Sequence, residues 1–428
     1  MKSVTPWIAS LLAILVWGVS TFGEDSNPKS TWKLGAPIVT YWAGPGSHTP
    51  LNDVTASQLA AGGWNLGWTK RAEDLDIYDR HGLRAVLEIG MPDLDDPAQA
   101  EALDALIVKV RDHPALYSYY LADEPGAGAF AKLGKIISWI RRRDPAHMAF
   151  ICLLPTYASD GQLQVSDDVA ERARVGYPQD FAGVNTSDLT AVRYRDHLRQ
   201  FVDVVRPDLI SYDHYHFQHS GDGTQYFLNL ALIRSTALAA DVPFLNVIQA
   251  CESTGEGLRL PDEQELRWLT YTSLAYGAQG LAHFRYDTGF WKDPRETSVP
   301  LPRFWAVSQL NREFVAVATE LQPLRSLGAY HSEKAPLGGE PLPAGSAFTP
   351  EPSSRDWLLG YFGSSVGTPT HVLVVNLNYK ARTRVALNGP GDMEAFHAPT
   401  VVWRPLPGGD RIELDLPPGG GVLVRLNR

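Results

Sequence analysis

From residue 37 onward, short β-rich apolar runs alternate with amphipathic stretches of helical period, and that alternation leaves few architectures open. The runs are Pro37–Ala43, Trp64–Thr69, Leu83–Gly90, Leu116–Ala122, Met148–Leu154, Leu209–His214, Pro243–Gln249 and Gly280–Tyr286. Helical patterns at Gln99–Arg111, Ala129–Arg143, Tyr194–Val205, Tyr226–Ala240 and Asp262–Tyr276 lie between them, and another at Arg303–Leu321 follows the last. Strands separated by helices predict a parallel sheet in an α/β protein, and eight of them favour a closed (β/α)8 TIM barrel over an open doubly wound sheet. No Gly-rich phosphate fingerprint follows the first run, which lowers the nucleotide-binding alternative.

At 428 residues the chain exceeds a barrel of roughly 250–300 residues, so an accessory module is expected. The barrel is assigned to residues 35–330. A Pro-, Gly- and Ser-rich stretch, Ala335–Ser354, reads as a linker over 331–355. Short alternating runs then follow at Trp357–Phe362, His371–Leu377, Thr383–Leu387, Val401–Arg404, Arg411–Leu416 and Val422–Leu426, separated by turn residues such as Pro407-Gly408-Gly409. They fit a small antiparallel β-sandwich over 356–428.

At the other end, Lys2 and the apolar run Trp7–Val19, followed by Ser20, Thr21 and Gly23, read as an export signal over residues 1–25, and hence a secreted or periplasmic protein. The run is too short to span a bilayer comfortably, so no membrane association is expected after cleavage. Cys152 and Cys251, the only cysteines, lie in or just after strand-like runs. They read as buried free thiols, with a single bridge as the alternative.

The net charge of −10 argues against nucleic acid or an anionic membrane as the main partner. Twelve Trp and seventeen Tyr are many, and flat aromatic faces are what a cleft uses to stack on the C–H surfaces of sugars, although most such rings are core. The oligomeric state is not legible.

In a (β/α)8 barrel, functional side chains project from the C-terminal ends of the strands. Those ends offer Tyr41 and Trp42, Trp68, Glu88, Asp123-Glu124-Pro125, Asp213-His214-Tyr215-His216, Gln249 running on to Glu252, and Arg285-Tyr286-Asp287. Carboxylates, imidazoles and aromatics thus concentrate on one rim, the mixture that glycosidic bond cleavage needs. The most specific piece is Asp123-Glu124-Pro125. A buried-type strand running into two adjacent carboxylates needs a reason, because desolvating both is expensive. The plainer alternative makes Asp123 a helix cap and Glu124 a first-turn acid.

Here the chain resembles glycoside hydrolases of clan A, including the barrel of family 42 enzymes, over about residues 37–325. The resemblance implies a retaining, β-galactosidase-like hydrolase acting on an oligo- or polysaccharide without metal or other cofactor. Glu124 matches the acid/base at the end of strand 4, and Glu252 is the nearest carboxylate to the position of the nucleophile, about where Gln249 falls. Asp123 stands where the clan usually has Asn. The adjacent Asp123-Glu124 pair is also similar to families 20 and 123, which implies a substrate-assisted alternative: Asp123 orients a substrate acetamide and Glu124 is the acid/base. A barrel that only binds carbohydrate is the third reading.

Tyr41, Trp42, Trp68, Glu88, Asp213, His214, Tyr215, Gln249, Arg285 and Tyr286 are the expected substrate-binding residues, with Trp291 a further subsite candidate. In a regular strand Asp213 and His214 face opposite ways. The Asp213/His214/His216 cluster shows no third ligand at diagnostic spacing, so no metal is expected. Trp268 has core spacing and is given no functional role.

Overall fold

The computed structural model describes residues 37–165, 189–293, 296–332, 334–364 and 367–426; the expected export signal lies outside the described residues. All eight runs are strands: β1 (Ile38–Trp42), β2 (Leu66–Thr69), β3 (Arg84–Glu88), β4 (Leu116–Asp123), β5 (Met148–Leu153), β6 (Ile210–His214), β7 (Phe244–Gln249) and β8 (Gly280–Phe284). They form one parallel sheet in the order β1-β8-β7-β6-β5-β4-β3-β2. The seam between β1 and β2 is stitched partly by side chains. Val39 N donates to Asn65 Oδ1 at 2.8 Å, Asn65 N to Val39 O at 3.1 Å, and Thr40 Oγ1 to Leu66 O at 2.8 Å. The sheet is a (β/α)8 barrel. Its strands are buried along nearly their whole length because helices cover the outside and side chains fill the inside.

Helices occupy the expected intervals, among them Pro97–Val110, Phe130–Arg143, Tyr226–Ala240, Glu263–Ala275 and the closing helix Pro302–Leu321. Their starts follow from capping chemistry: Asp262 Oδ1 accepts from Glu265 N at 2.8 Å while Glu265 reaches back to Asp262 N at 2.9 Å.

The C-terminal strands form a seven-stranded and a three-stranded sheet, closed over a second apolar core that includes Leu359, Val374, Val385, Leu414 and Val424. This module starts earlier than the sequence indicates. Arg325–His331, inside the span assigned to the barrel, pairs antiparallel with Trp357–Gly363. The expected linker contributes two short strands, Glu340–Pro341 and Thr349–Pro350, and Met393–His397 is a further strand. A register shift between Ser326 and Gly328 breaks the alternation of Arg325–His331, which hides it as a strand in the sequence.

Barrel and sandwich share one apolar core, since Leu358, Phe362 and Leu373 pack into the same cluster as Leu269 and Leu274. The approach is close: a Cβ at Gly360 would lie 2.4 Å from Ala275 O, so only glycine fits there. Cys152 and Cys251 are free and buried, which removes the bridge alternative. Among the described residues no helix is long and apolar enough to cross a membrane.

Candidate active site

The C-terminal mouth of the barrel opens into a pocket of about 680 Å³, open mouth included. How β4 ends decides what faces it. Tyr120 pairs with Phe150, yet Asp123 pairs with Cys152, so one extra residue bulges out of β4 between them. In a regular strand positions 120 and 123 point to opposite faces; the bulge brings both into the pocket. The Tyr120 hydroxyl donates to Asp123 Oδ1 at 2.9 Å. Glu124 then leaves the strand at φ +47°, in the left-handed region that a non-glycine residue enters at a cost of roughly 1 kcal/mol. Its backbone N–H is fixed to Cys152 O at 2.8 Å. The strained turn aims the Glu124 carboxyl across the pocket at Asp213, the penultimate residue of β6.

Both carboxyls are held above their ordinary range. Burial is the largest cause for Asp213, followed by the charge of Glu124; a hydrogen bond from Tyr215 acts the other way. For Glu124, burial against the pocket walls comes first, then the charge of Asp123, while its contact with Asp213 pulls it down. The two groups interact across the pocket, and Asp213 Oδ1 is buried without a hydrogen-bond partner. Like charges brought together oppose each other's ionisation. Asp213 is 5 % exposed, whereas Glu124 is open to water through the mouth. Asp123 is raised too, mainly by burial, with Glu88 adding to it and the Tyr120 hydrogen bond opposing it.

Aromatic rings build the walls. Trp68 meets Trp42 at 5.0 Å and Tyr120 at 4.8 Å between centroids, and Tyr120 meets Phe150 at 5.2 Å. Opposite them Tyr215 stacks on Phe284 at 4.7 Å. Trp68 Nε1 donates to Thr40 Oγ1 at 2.9 Å, and the Tyr41 hydroxyl to Pro45 O at 2.8 Å, so both rings are locked.

Of the residues singled out in the sequence, Tyr41, Trp42, Trp68, Asp123, Glu124, Asp213 and Tyr215 line this pocket. The others do not. Glu252 is half exposed and pairs with His219 at 3.2 Å. Gln249 is buried as a brace: its Oε1 accepts from Phe217 N at 2.9 Å, and its Nε2 donates to Phe217 O at 2.8 Å and Arg259 O at 2.7 Å. His214 turns away from Asp213, as strand alternation requires, to Asn229 Oδ1 at 3.0 Å, and burial pushes it down to about 3. His216, pushed down to about 4 by burial, lies flat on the buried Trp268 at 5.0 Å. Glu88 meets Lys70 at 3.5 Å, and Arg285 is neutralised by Asp287 at 2.6 Å. Tyr286 and Trp291 are buried among Tyr41, Trp64 and Phe304.

Sequence reasoning missed Phe150, Cys152, Ser211, Phe284 and Glu256, which also line the pocket. Strand alternation could have found Ser211, two residues before Asp213. Glu256 comes from a short turn, Thr254–Glu256, whose reach no sequence signal gives. Among the described residues, no group of three or more His, Cys, Asp or Glu is arranged to hold a metal ion.

Fold and site together define a (β/α)8-barrel protein with paired carboxyl groups in an aromatic-walled pocket and a β-sandwich behind it. No known sequence family matches the chain, and no curated protein does. Among solved structures it is similar to one described as a glycoside hydrolase, at 11 % identity and a TM-score of 0.55, with 94 % of this chain and 98 % of that one covered. It is also similar to a candidate α-galactosidase (melibiase) from Bacteroides fragilis NCTC 9343, at 10 % identity and a TM-score of 0.50, covering 93 % of this chain and 80 % of the other. At such identities the likeness is one of fold, and it does not single out family 42.

Proposed function

We propose that the protein is a glycoside hydrolase acting by a retaining mechanism, with Asp213 and Glu124 as its carboxyl pair. The observation that carries this reading is the pair itself: two carboxyl groups, from just past the end of β4 and near the end of β6, facing each other inside a pocket walled by aromatic rings. Carboxyl groups that face each other across one pocket fit a retaining pair, roughly 5–5.5 Å apart, better than an inverting pair, roughly 6.5–9.5 Å apart. Asp213 donates its proton to the departing glycosidic oxygen while the Glu124 carboxylate attacks the anomeric carbon. Water, deprotonated by Asp213, then displaces Glu124 and frees the sugar with its configuration retained. In this reading Glu252 takes no part, and Glu124 is the nucleophile in place of the proton donor that the sequence suggests. Export, supported by the Trp7–Val19 run, belongs to the same reading.

Aryl β-galactosides, β-glucosides, α-arabinosides and 2-acetamido glycosides, offered to the wild type and to Glu124→Ala and Asp213→Ala in azide, test it. Glu124→Ala is expected to yield a glycosyl azide of inverted configuration and Asp213→Ala one of retained configuration. Unchanged turnover in both variants places the chemistry elsewhere.

A second reading is supported by Asp123, which lines the same pocket and is oriented by Tyr120. On a 2-acetamido sugar it positions the acetamide as internal nucleophile. Turnover confined to 2-acetamido glycosides selects this reading; tight sugar binding without any turnover selects the barrel that only binds.

A further inference from the structure

We infer that the protein binds a second, neutral sugar unit in a groove sharing the Tyr215 wall with the pocket, so that its substrate is an oligosaccharide. This rests on reading the pocket as a glycosidase site. The groove encloses about 700 Å³, open mouth included, a volume typical of small-molecule sites. Tyr215 lines both spaces, so a chain leaving the pocket over that ring enters the groove.

One wall is Tyr157, 45 % exposed although most tyrosines of the barrel are buried. It is held in place: its hydroxyl accepts from Tyr215 N at 3.2 Å, its ring meets His214 at 5.0 Å, and Thr156 N is fixed to Asn229 Oδ1 at 2.9 Å. A fixed aromatic ring with open surface is a stacking platform that loses little entropy on binding.

The opposite wall is the hairpin Phe217–Gln218/Gly221–Asp222, braced from three sides. Gln249 grips both backbone groups of Phe217, Gly223 N donates to His216 O at 2.7 Å, and Tyr379 of the sandwich donates its hydroxyl to Asp222. The sandwich therefore shapes the groove.

Its chemistry selects the ligand. Gln218, Ser220, Thr224 and Gln225 offer neutral donors and acceptors. Asp222, the carboxylate on this lining, is engaged by Arg259 at 3.3 Å as well as by Tyr379. No lysine or arginine is on the lining, and burial keeps His214 neutral. Hydroxyl groups find partners there; a uronate or sulfate finds no free cation.

Thr224 is exposed, so Thr224→Trp fills the groove without disturbing the core. Calorimetric titration of the full chain, in a Glu124→Gln background with and without Thr224→Trp, would use cellotetraose, xylotetraose, mannotetraose and tetragalacturonate. At least one neutral tetramer is expected to bind, with Thr224→Trp weakening it by roughly tenfold or more. With Glu124 intact, the kcat/KM for that tetramer relative to an aryl monoglycoside is expected to fall by a similar factor. Binding indifferent to Thr224→Trp, no binding of any neutral tetramer, or a preference for tetragalacturonate overturns the inference. Binding that responds to Thr224→Trp without Glu124-dependent hydrolysis strikes the glycosidase reading and leaves the groove standing.

Discussion

Asp213, buried near the end of β6, faces Glu124, just past the end of β4, across the pocket. Neither residue is placed by accident of packing. A bulge and a left-handed backbone turn deliver Glu124, while strand alternation sends Asp213 inward and His214 outward. Burying Asp213 beside a second carboxyl group opposes folding, and that marks the pair as a candidate functional site.

Asp213→Asn is therefore expected to abolish most activity, by about 10²–10⁴-fold, while stabilising the protein at neutral pH. The folded-state value of Asp213 is raised, so its contribution is complete below the ordinary carboxylate range and is lost as pH rises toward that raised value. The melting temperature of Asp213→Asn should thus exceed that of the wild type by a margin that widens as pH rises above the ordinary carboxylate range. A variant less stable than the wild type at the upper pH contradicts the raised value.

The alkaline limb of the activity profile reports the proton on Asp213. Burial sets that value high, and the charge of Asp123 adds to it, as it does at Glu124. Removing a like charge favours ionisation, so Asp123→Asn should move the limb to lower pH. A profile of kcat/KM against pH measures it, and a limb that stays in place or moves upward removes Asp123 from the electrostatics of the pair.

Glu252→Gln is expected to change kcat/KM by less than about threefold and stability by less than about 0.5 kcal/mol, since an exposed ion pair contributes little. Steady-state kinetics and thermal melting check both. A loss on the scale expected of Asp213→Asn would restore Glu252 as the nucleophile.

Gln249→Ala removes two buried hydrogen bonds and one part-buried one, and takes these partners from Phe217 N and Arg259 O, while Phe217 O keeps Arg259 N at 3.2 Å. A destabilisation of about 2–4 kcal/mol is expected in urea unfolding. Loosening of the hairpin should also weaken oligosaccharide binding more than monosaccharide binding.

The sequence by itself determined the barrel, because strand and helix periods are local properties, and eight alternations have few closed solutions. It also placed the functional rim, since strand ends in a barrel share one face. Glu124 stood out through the dense charge of Asp123-Glu124-Pro125, and the opposition of Asp213 and His214 followed from the period of a strand. Tertiary structure alone decided the partner of Glu124. Glu252 is nearer the strand end expected for a nucleophile, yet a loop pairing with His219 carries it away, and Asp213 arrives from a different strand. The β4 bulge that turns both Tyr120 and Asp123 inward leaves no mark in composition or spacing. The early start of the sandwich was hidden likewise, because Arg325–His331 becomes a strand only where Trp357–Gly363 pairs with it. Contacts of long sequence separation are written in no short window, and the approach of Asp213 to Glu124 is one of them.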